Sequence, residues 1–367
     1  MADARLDTLS RILVDYSLDV QPGQLVTVSG SPLAAPLIRP VYRRILERGG
    51  YPLLQIALPG ISEIFYGQAN DEQLNFIRPD ERIMPEMADA ALSILSDANT
   101  KALSGVDPTR QQMARLARAN LTKTYLERSA AGTLKWCVTL FPTEAFAQDA
   151  EMSLFDYEEF VYGAGLLDST DPVAEWREVS NEQSRLVDWL SDKRSVHVTA
   201  PGTDLRLEIA GRKFINADGR YNFPDGEIFT GPIENSVNGE VRFTFPCSVA
   251  GREVEDVHLW FEDGKVVKAT AAKNEEYLLR TLDTDDGARY LGEFAFGTNR
   301  GITKFTSNIL FDEKIGGTMH LALGSSYPET GGVNESAIHW DMICDLRQES
   351  EVLVDGQLFM KDGVVQV

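Results

Sequence analysis

The sequence predicts an α/β protein, with an N-terminal α/β domain containing a mostly parallel sheet and a following domain that is mainly β (α+β). In the first half, apolar runs of strand length alternate with segments whose apolar residues recur at helical spacing. Strands separated by helices imply a parallel sheet covered on both faces. In the second half, strands and turns dominate instead. This change of pattern predicts a boundary near residue 190, with domains 1–190 and 191–367.

The elements of the first half follow from periodicity and from helix-ending residues. Helical spacing of apolar residues predicts helices over 4–16, 37–50 and 108–128. Buried strands are predicted at 25–30, 51–58, 88–95 and 133–141. Residues 151–192 are predicted to be wholly helical, and Asp171 and Pro172 form a good N-cap and first-turn pair within them.

The second half consists of alternating apolar runs separated by turns. From Ser195 onward, strands are predicted in SVHVTA, TDLRLEIA, EVRFTFP and VHLWFEDGKVVKATA. The segment FEDGKVV has a glycine-centred turn between two such runs, which predicts a hairpin. The C-terminal segment VLVDGQLFMKDGVVQV repeats this pattern.

Composition excludes several classes of function. The net charge of −21 disfavours binding to the phosphate backbone of nucleic acids. No stretch approaches the ~20 apolar residues of a membrane helix, so no membrane association is expected. The first residues lack the features of a secretory signal, and three widely spaced cysteines indicate buried free thiols in a reducing compartment. We therefore expect a cytoplasmic protein.

Several common catalytic motifs are missing from the sequence. It contains no GxxxxGK[ST] phosphate loop, no GxGxxG after the first strand, no GxSxG elbow and no HExxH helix. Only four histidines are available to any histidine-based chemistry. His197 and His258 lie within alternating apolar runs, which favours a structural role for both.

Four segments of the second half combine acidic residues and histidines with apolar neighbours. They are NFPDGEIFTGP with Glu227, YLGEFAFGTN with Glu293, ILFDEKIGGTMHLALGSSYP with Glu313, His320 and Tyr327, and ESAIHWDMICDL with His339 and Asp341. Residues two apart on a strand point to the same face, so His339 and Asp341 project together. A histidine beside a surface aspartate is the alternative interpretation of this HxD pattern.

The carboxylates strengthen the case for a metal site. Glu227 and Glu293 lie among apolar and aromatic residues, where a carboxylate is costly unless it pairs with a cation or a metal. Taken together, the residues offer two histidines and four carboxylates, and the four negative charges of the carboxylates would balance two divalent ions. This set suits a two-metal hydrolytic site with a bridging water, using zinc, cobalt or manganese. The second domain is therefore predicted to be the metal-binding catalytic domain.

The same segments resemble those of the M29 family of metallo-aminopeptidases. The strings PDGEIFTGP, LGEFAFGTN, HLALGSSYPETGG and IHWDMICDL carry the resemblance, and LDTLSRILVDYSLDVQPGQLVTV and PTEAFAQDAEMSLFDYEEFVY extend it over most of the chain. The resemblance implies hydrolysis of peptides with a free N-terminus, and a homodimer. It implies metal ligation by Glu227, Glu293, Glu313, His320, His339 and Asp341. It further implies that Glu293 bridges both metals and that Tyr327 donates a hydrogen bond to the substrate or to the tetrahedral oxyanion.

Two other functions remain open from the sequence. His320, His339 and Asp341 can be counted as the two-histidine, one-carboxylate triad of a non-haem Fe(II) ring-cleaving dioxygenase of the dihydroxypyridine type on the same scaffold. Glu227 and Glu293, which a single iron does not need, argue against this alternative. The other is a non-enzymatic binding module, which an intact six-ligand set disfavours.

Overall fold

A computed structural model describes residues 3–249 and 252–367, and these residues form two compact units. The first unit comprises Met1–Val173 and Gly219–Pro224. The second comprises Ala174–Asp218 and Asp225–Val367. The predicted α/β class is confirmed, with a parallel sheet early in the chain and antiparallel sheets later.

The first unit contains a five-stranded parallel sheet and eight helices among its described residues. Its helices are α1 Ala4–Arg11, α2 Ala35–Glu47, α3 Ile61–Gln68, α4 Asp71–Asn75, α5 Pro108–Ala117, α6 Ala119–Ala130, α7 Glu144–Asp149 and α8 Leu154–Ala164. Its strands are β1 Leu25–Gly30, β2 Tyr51–Ile56, β3 Ala90–Leu95, β4 Lys135–Leu140 and β8 Asn222–Phe223. The sheet order is β2-β1-β3-β4-β8, and every neighbouring pair is parallel.

The predicted elements of this unit lie close to where the sequence places them, with two corrections. The helix predicted over 108–128 is divided at Arg118 into α5 and α6. The helix predicted over 4–16 begins as α1 and continues as a π-helical segment over Ile12–Ser17. The expectation of continuous helix over 151–192 is wrong, because α8 ends at Ala164 and the next helix begins at Pro172. Gly165 caps α8, and Leu166 adopts a positive φ of 57°, which a continuing helix does not permit.

The second unit is built mainly from antiparallel strands. Its helices are α9 Pro172–Leu190, of which all but the first two residues belong here, α10 Glu275–Leu282 and α11 Ile309–Asp312. Its strands are β5 Ser195–Ala200, β6 Thr203–Glu208, β7 Ile215–Ala217, β9 Glu227–Thr230, β10 Asn238–Phe243, β11 Cys247–Val249, β12 Arg252–Val254, β13 Val257–Glu262, β14 Lys265–Thr270, β15 Leu291–Gly297, β16 Thr318–Gly324, β17 His339–Asp345, β18 Glu351–Val354, β19 Gln357–Lys361 and β20 Val364–Val365.

Except for β11 and β12, which pair with each other, these strands form two large sheets that share one hydrophobic core. An eight-stranded sheet has the order β14-β13-β10-β6-β5-β18-β19-β20, and a five-stranded sheet has the order β17-β16-β15-β9-β7. Phe296 of the second sheet and Phe359 of the first have ring centroids 5.0 Å apart, and both are buried. Leu186 and Leu190 of α9 join the same core. The five-stranded sheet therefore has one face in the core, which leaves its other face for chemistry.

The remaining sequence-based expectations concern the eight-stranded sheet and the membrane. The hairpin predicted in FEDGKVV is the antiparallel pair β13–β14. His197 and His258 lie in this sheet and contact one acidic residue each, Asp204 at 2.8 Å and Glu240 at 3.0 Å. Among the described residues, none of the helices has the length and apolarity needed to cross a membrane.

Candidate metal centre

The outer face of the five-stranded sheet carries most of the predicted site residues. Alternate residues of its strands, such as Phe294, Leu321 and Met342, are buried in the hydrophobic core. The residues between them point the other way, because successive side chains of a strand alternate between faces. The register places Glu293 beside Ala322, and Ala322 beside Asp341. Thus Glu227, Glu293, His320, His339 and Asp341 project from the same face of β9, β15, β16 and β17.

A β-bulge at the start of β15 decides which way Glu293 points. Leu291 pairs with Leu323, and Glu293 pairs with the next residue, Ala322, so Gly292 is an extra residue in this strand. Because of this extra residue, Leu291 enters the core and Glu293 faces the site, although strict alternation would put both on one face. A Cβ at position 292 would lie 2.2 Å from the carbonyl oxygen of Ser325, so only glycine fits here.

Glu313 reaches the same face from a loop. It caps the C-terminal end of α11, and its backbone carbonyl accepts a hydrogen bond from His320 Nδ1 at 3.0 Å. The loop lies directly against β15 at Gly297, where a Cβ would be 2.2 Å from the carbonyl oxygen of Ile315. The missing side chain of Gly297 therefore allows the backbone after Glu313 to lie against the sheet beside His320.

The six predicted ligands form two groups of three. Ligand atoms of Glu227, Glu313 and His320 all lie within 4.8 Å of one another, and so do those of Glu293, His339 and Asp341. We call these groups the first and second triads. Glu293 faces both of them, because its Oε1 lies 3.4 Å from His320 Nε2 and its Oε2 lies 3.1 Å from His339 Nε2.

Both histidines are oriented by backbone carbonyls. His320 Nδ1 donates to the carbonyl of Glu313, and His339 Nδ1 donates to the carbonyl of Ser325 at 2.8 Å. This leaves Nε2 of each ring pointing at the carboxylates. Metal-binding histidines are usually held in this manner, with the outer ring nitrogen bonded to a carbonyl or carboxylate.

The protonation of the cluster reflects crowded acidic groups. Burial raises the pKa of Glu227 well above its usual value. Burial opposes protonation of His320, but its hydrogen bond with Glu293 and the surrounding carboxylates outweigh this effect and raise its pKa to about 10. Burial likewise opposes protonation of His339, but the neighbouring carboxylates of Asp341 and Glu293 outweigh this effect and raise its pKa to about 11. The carboxylates thus attract positive charge strongly.

Two buried carboxylate oxygens show that the cluster fits a metal. Glu227 Oε2 and Asp341 Oδ1 are buried and accept no hydrogen bond within the part of the chain that the structure describes. A buried carboxylate oxygen without a donor is costly, whereas coordination of a cation satisfies it. Oxygen donors combined with two imidazoles suit divalent ions of the zinc, cobalt and manganese kind.

Tyr327 lies at the edge of the cluster. Its ring centroid is 5.1 Å from that of His339 and 5.3 Å from that of Phe229, and the residue remains 39% exposed. Burial and the neighbouring carboxylates raise the pKa of its phenol, so the hydroxyl keeps its proton. Thus Tyr327 borders the cluster as a neutral hydrogen-bond donor.

Two residues that the sequence analysis did not single out support the cluster. Gln183 on α9 is buried, and its amide nitrogen donates to the backbone carbonyls of Ala217 and Glu227 at 3.0 and 2.7 Å. The Lys314 side chain is fully buried, with Nζ 3.8 Å from Glu227 Oε1 and in direct contact with Glu313 Oε1. Neither residue belongs to a sequence motif that would predict a place beside the metal ligands. The one available signal is that Lys314 directly follows Glu313 in the sequence.

The fold and the donor set together define a protein that binds divalent metal ions through buried carboxylates and imidazoles. The chain belongs to the M29 family, because the family model described as thermophilic metalloprotease (M29) matches residues 2–364. The resemblance stated from the sequence is therefore confirmed, as is the prediction of a metallopeptidase.

Curated relatives agree with this membership. The chain is 31% identical to Aminopeptidase 2 of Geobacillus stearothermophilus, over 98% of this chain and 95% of that protein. It is 32% identical to Aminopeptidase T of Thermus thermophilus, over 73% of this chain and 72% of that protein. It is also 26% identical to Aminopeptidase AmpS of Bacillus subtilis, over 92% of each chain.

Solved structures distinguish between the aminopeptidase and dioxygenase hypotheses. The wild-type AmpT structure from Thermus thermophilus superposes with a TM-score of 0.86 at 27% identity and covers 99% of both chains. The 2,5-dihydroxypyridine dioxygenase of Pseudomonas putida KT2440 gives a TM-score of 0.57 at 14% identity, covering 100% of this chain and 98% of the other. The likeness to the dioxygenase is one of fold alone.

Proposed function

We propose that this chain is a metal-dependent aminopeptidase that removes N-terminal residues from peptides through a two-metal site. Glu227, Glu313 and His320 would hold one ion, and Glu293, His339 and Asp341 would hold the other. The observation that carries the proposal is Glu293, whose two oxygens face one histidine of each triad. A carboxylate in this position is suited to bridging two ions, and a single iron does not require it.

The bound ions would activate a water molecule and polarise the scissile carbonyl. The chain's own residues would hold the reactants in place. Glu293 lies between the two triads, so its carboxylate would hold both ions in position for attack on the carbonyl. Tyr327 carries a neutral phenol beside His339, from which it would donate a hydrogen bond to the oxygen that becomes negative in the tetrahedral intermediate.

The proposed substrate class follows from charge as well as from the relatives. The free amino group of a peptide is cationic, and the field of a chain with a net charge of −21 favours a cationic substrate. An exopeptidase must measure the distance from the terminus to the scissile bond, and an acidic group can anchor that ammonium. We therefore propose peptides with a free N-terminus as substrates, with no role for nucleic acid given the net charge of −21.

The proposal also covers the identity of the ions, the oligomeric state and the cellular compartment. We propose zinc, cobalt or manganese as the metals, since oxygen-rich sites with some imidazole accept these ions. Three buried free cysteines support a reducing, cytoplasmic location. A homodimer is proposed from the resemblance to the family. The second compact unit, which contains all six proposed ligands, would be the catalytic unit.

The central test is the Glu293→Gln variant. Losing a shared negative charge should lower peptidase activity by at least about two orders of magnitude, because loss even of an outer-shell partner of a metal typically costs 10–100-fold. Metal content should fall below two ions per chain. The matched control is Glu262→Gln, an exposed glutamate on β13, which should behave like the wild type. Full metal content with near-normal hydrolysis in Glu293→Gln would refute the bridging role.

Substrate blocking provides a second test. Leucine p-nitroanilide should be hydrolysed by the metal-loaded protein, whereas its N-acetyl derivative should be inert. Equal cleavage of both compounds would indicate an endopeptidase or an unrelated hydrolase instead.

A further inference from the structure

The buried lysine beside the first triad has no part in the proposed chemistry. The Lys314 side chain has 0% exposure, and a lysine is almost never fully buried unless it is paired. Its Nζ contacts Glu313 and lies 3.8 Å from Glu227. Both carboxylates belong to the first triad, whereas the ion pairs of Asp341 and Glu293 among the described residues are with histidines. The lysine charge is therefore directed at one of the two proposed metal positions.

The backbone holds Lys314 firmly in this place. Its N–H donates to the carbonyl of Phe311 at 3.0 Å, and its carbonyl accepts from the N–H of Asn299 at 3.1 Å. Gly297 allows this close approach, since a Cβ there would lie 2.9 Å from the Lys314 carbonyl carbon. The side chain is thus directed into the cluster by the same contact that brings Glu313 to the sheet.

Burying the Lys314 ammonium group costs desolvation free energy, so the presence of a charged side chain here needs an explanation. An apolar side chain of similar length would fill the same space without the cost of desolvation. In the metal-free protein, however, Glu227 and Glu313 would then be buried close together with His320, 3.6 Å from Glu227, as their neighbouring cationic group. Asp225, which also attracts Lys314, is fully buried nearby and adds a further acidic group. A positive charge at Lys314 offsets this repulsion before any ion binds.

We propose that Lys314 is a built-in counter-charge of the first triad, which stabilises the metal-free protein and weakens the binding of a divalent ion to Glu227, Glu313 and His320. This inference rests on the proposed two-metal function. Lys314 is a positioning residue, because it acts through the two glutamates. Its positive charge repels an ion bound to them, which keeps this position exchangeable.

The test compares Mn²⁺ binding to the wild type, Lys314→Met and Lys314→Arg, measured by calorimetry and by the paramagnetic resonance of free Mn²⁺. Removing one positive charge should tighten binding at the first triad by at least about tenfold, given charge interactions at this range even in a water-like dielectric. Lys314→Met should also melt at a lower temperature without metal and gain more from Mn²⁺ than the wild type does. Lys314→Arg keeps the charge and should resemble the wild type.

The position of the effect is checked in an Asp341→Asn background, where the second triad is weakened. The tightening by Lys314→Met should persist there, because it concerns the first triad. A Lys314→Met chain that folds only with Mn²⁺ is the extreme form of the expected result. Unchanged or weaker Mn²⁺ binding, or failure to fold even with saturating Mn²⁺, would overturn the proposal.

The outcomes also separate this inference from the proposed function. A wild-type chain that binds two Mn²⁺ ions, with no change in affinity in Lys314→Met, would refute only the counter-charge. A wild-type chain that binds fewer than two ions would refute the two-metal function on which the inference rests.

Discussion

Replacing Gly292 by alanine should disable the site without touching any proposed ligand. A Cβ at this position would lie 2.2 Å from the carbonyl oxygen of Ser325 and 2.5 Å from that of Gly324. Both atoms belong to the backbone, so no side chain can rotate away. The strand must therefore either shift by about 1 Å or lose the bulge, which would turn Glu293 or Leu291 to the wrong face of the sheet.

The expected magnitude differs for stability and for catalysis. Overpacking of this kind costs roughly 1–3 kcal/mol, which lowers the melting temperature by about 2–4 °C per kcal/mol in a unit of this size. A displacement of about 1 Å at a reacting group can cost about 100-fold in rate. We therefore expect kcat/KM on leucine p-nitroanilide to fall by about 100-fold, with a smaller loss of stability and reduced metal content.

The matched control is Gly163→Ala near the C-terminal end of α8. No atom lies within 4 Å of a Cβ there, and alanine favours a helix over glycine by roughly 0.5–1 kcal/mol. This variant should be slightly more stable and fully active. Wild-type activity and metal content in Gly292→Ala would refute the argument that the bulge aims Glu293 at the site.

Three further predictions concern the metals, a matched pair of aspartates and a loop before β17. Chelation should abolish activity and lower the melting temperature, because acidic ligands repel one another without cations; unchanged stability after verified metal loss would contradict this. Asp341→Asn should lose most of its activity, whereas Asp345→Asn, which breaks only a pair with Arg347 at 2.7 Å, should retain it; similar losses in both would contradict the assignment of Asp341. Asp285 accepts hydrogen bonds from the Ala337 N–H and the Ser336 hydroxyl, which hold the pKa of its carboxyl below the usual value. Its stabilising effect should be present above about pH 4 and lost as the pH falls further, so the difference in urea stability between wild type and Asp285→Ala should shrink below that pH.

The sequence predicts those parts of the site that local periodicity controls. Alternation within HWDMICD is sufficient to put His339 and Asp341 on one face, and the structure has them there. The same rule fails for Glu293, because a bulge cannot be recognised from LGEF alone. The bulge depends on the close approach of the Ser325 carbonyl, a residue more than thirty positions away in the chain.

Long-range contacts explain the other differences between sequence and structure. Lys314 follows a glutamate in an ordinary polar segment, and no local pattern indicates that its side chain is fully buried. Its backbone is held against the distant Gly297, which the sequence does not reveal. Strand β8 joins the first parallel sheet although it lies far along the chain, since Thr139 and Phe223 pair across the sheet. A strand of only two residues has too little hydrophobic periodicity for its pairing to be predicted from sequence.

The most direct test of the account is a crystal structure of the protein grown with Mn²⁺, with anomalous difference density collected at the manganese edge. The account predicts two peaks, one at Glu227, Glu313 and His320 and one at Glu293, His339 and Asp341, with the Glu293 carboxylate contacting both. A single peak bound by His320, His339 and Asp341, with Glu227 and Glu313 outside its coordination, would contradict the two-metal centre.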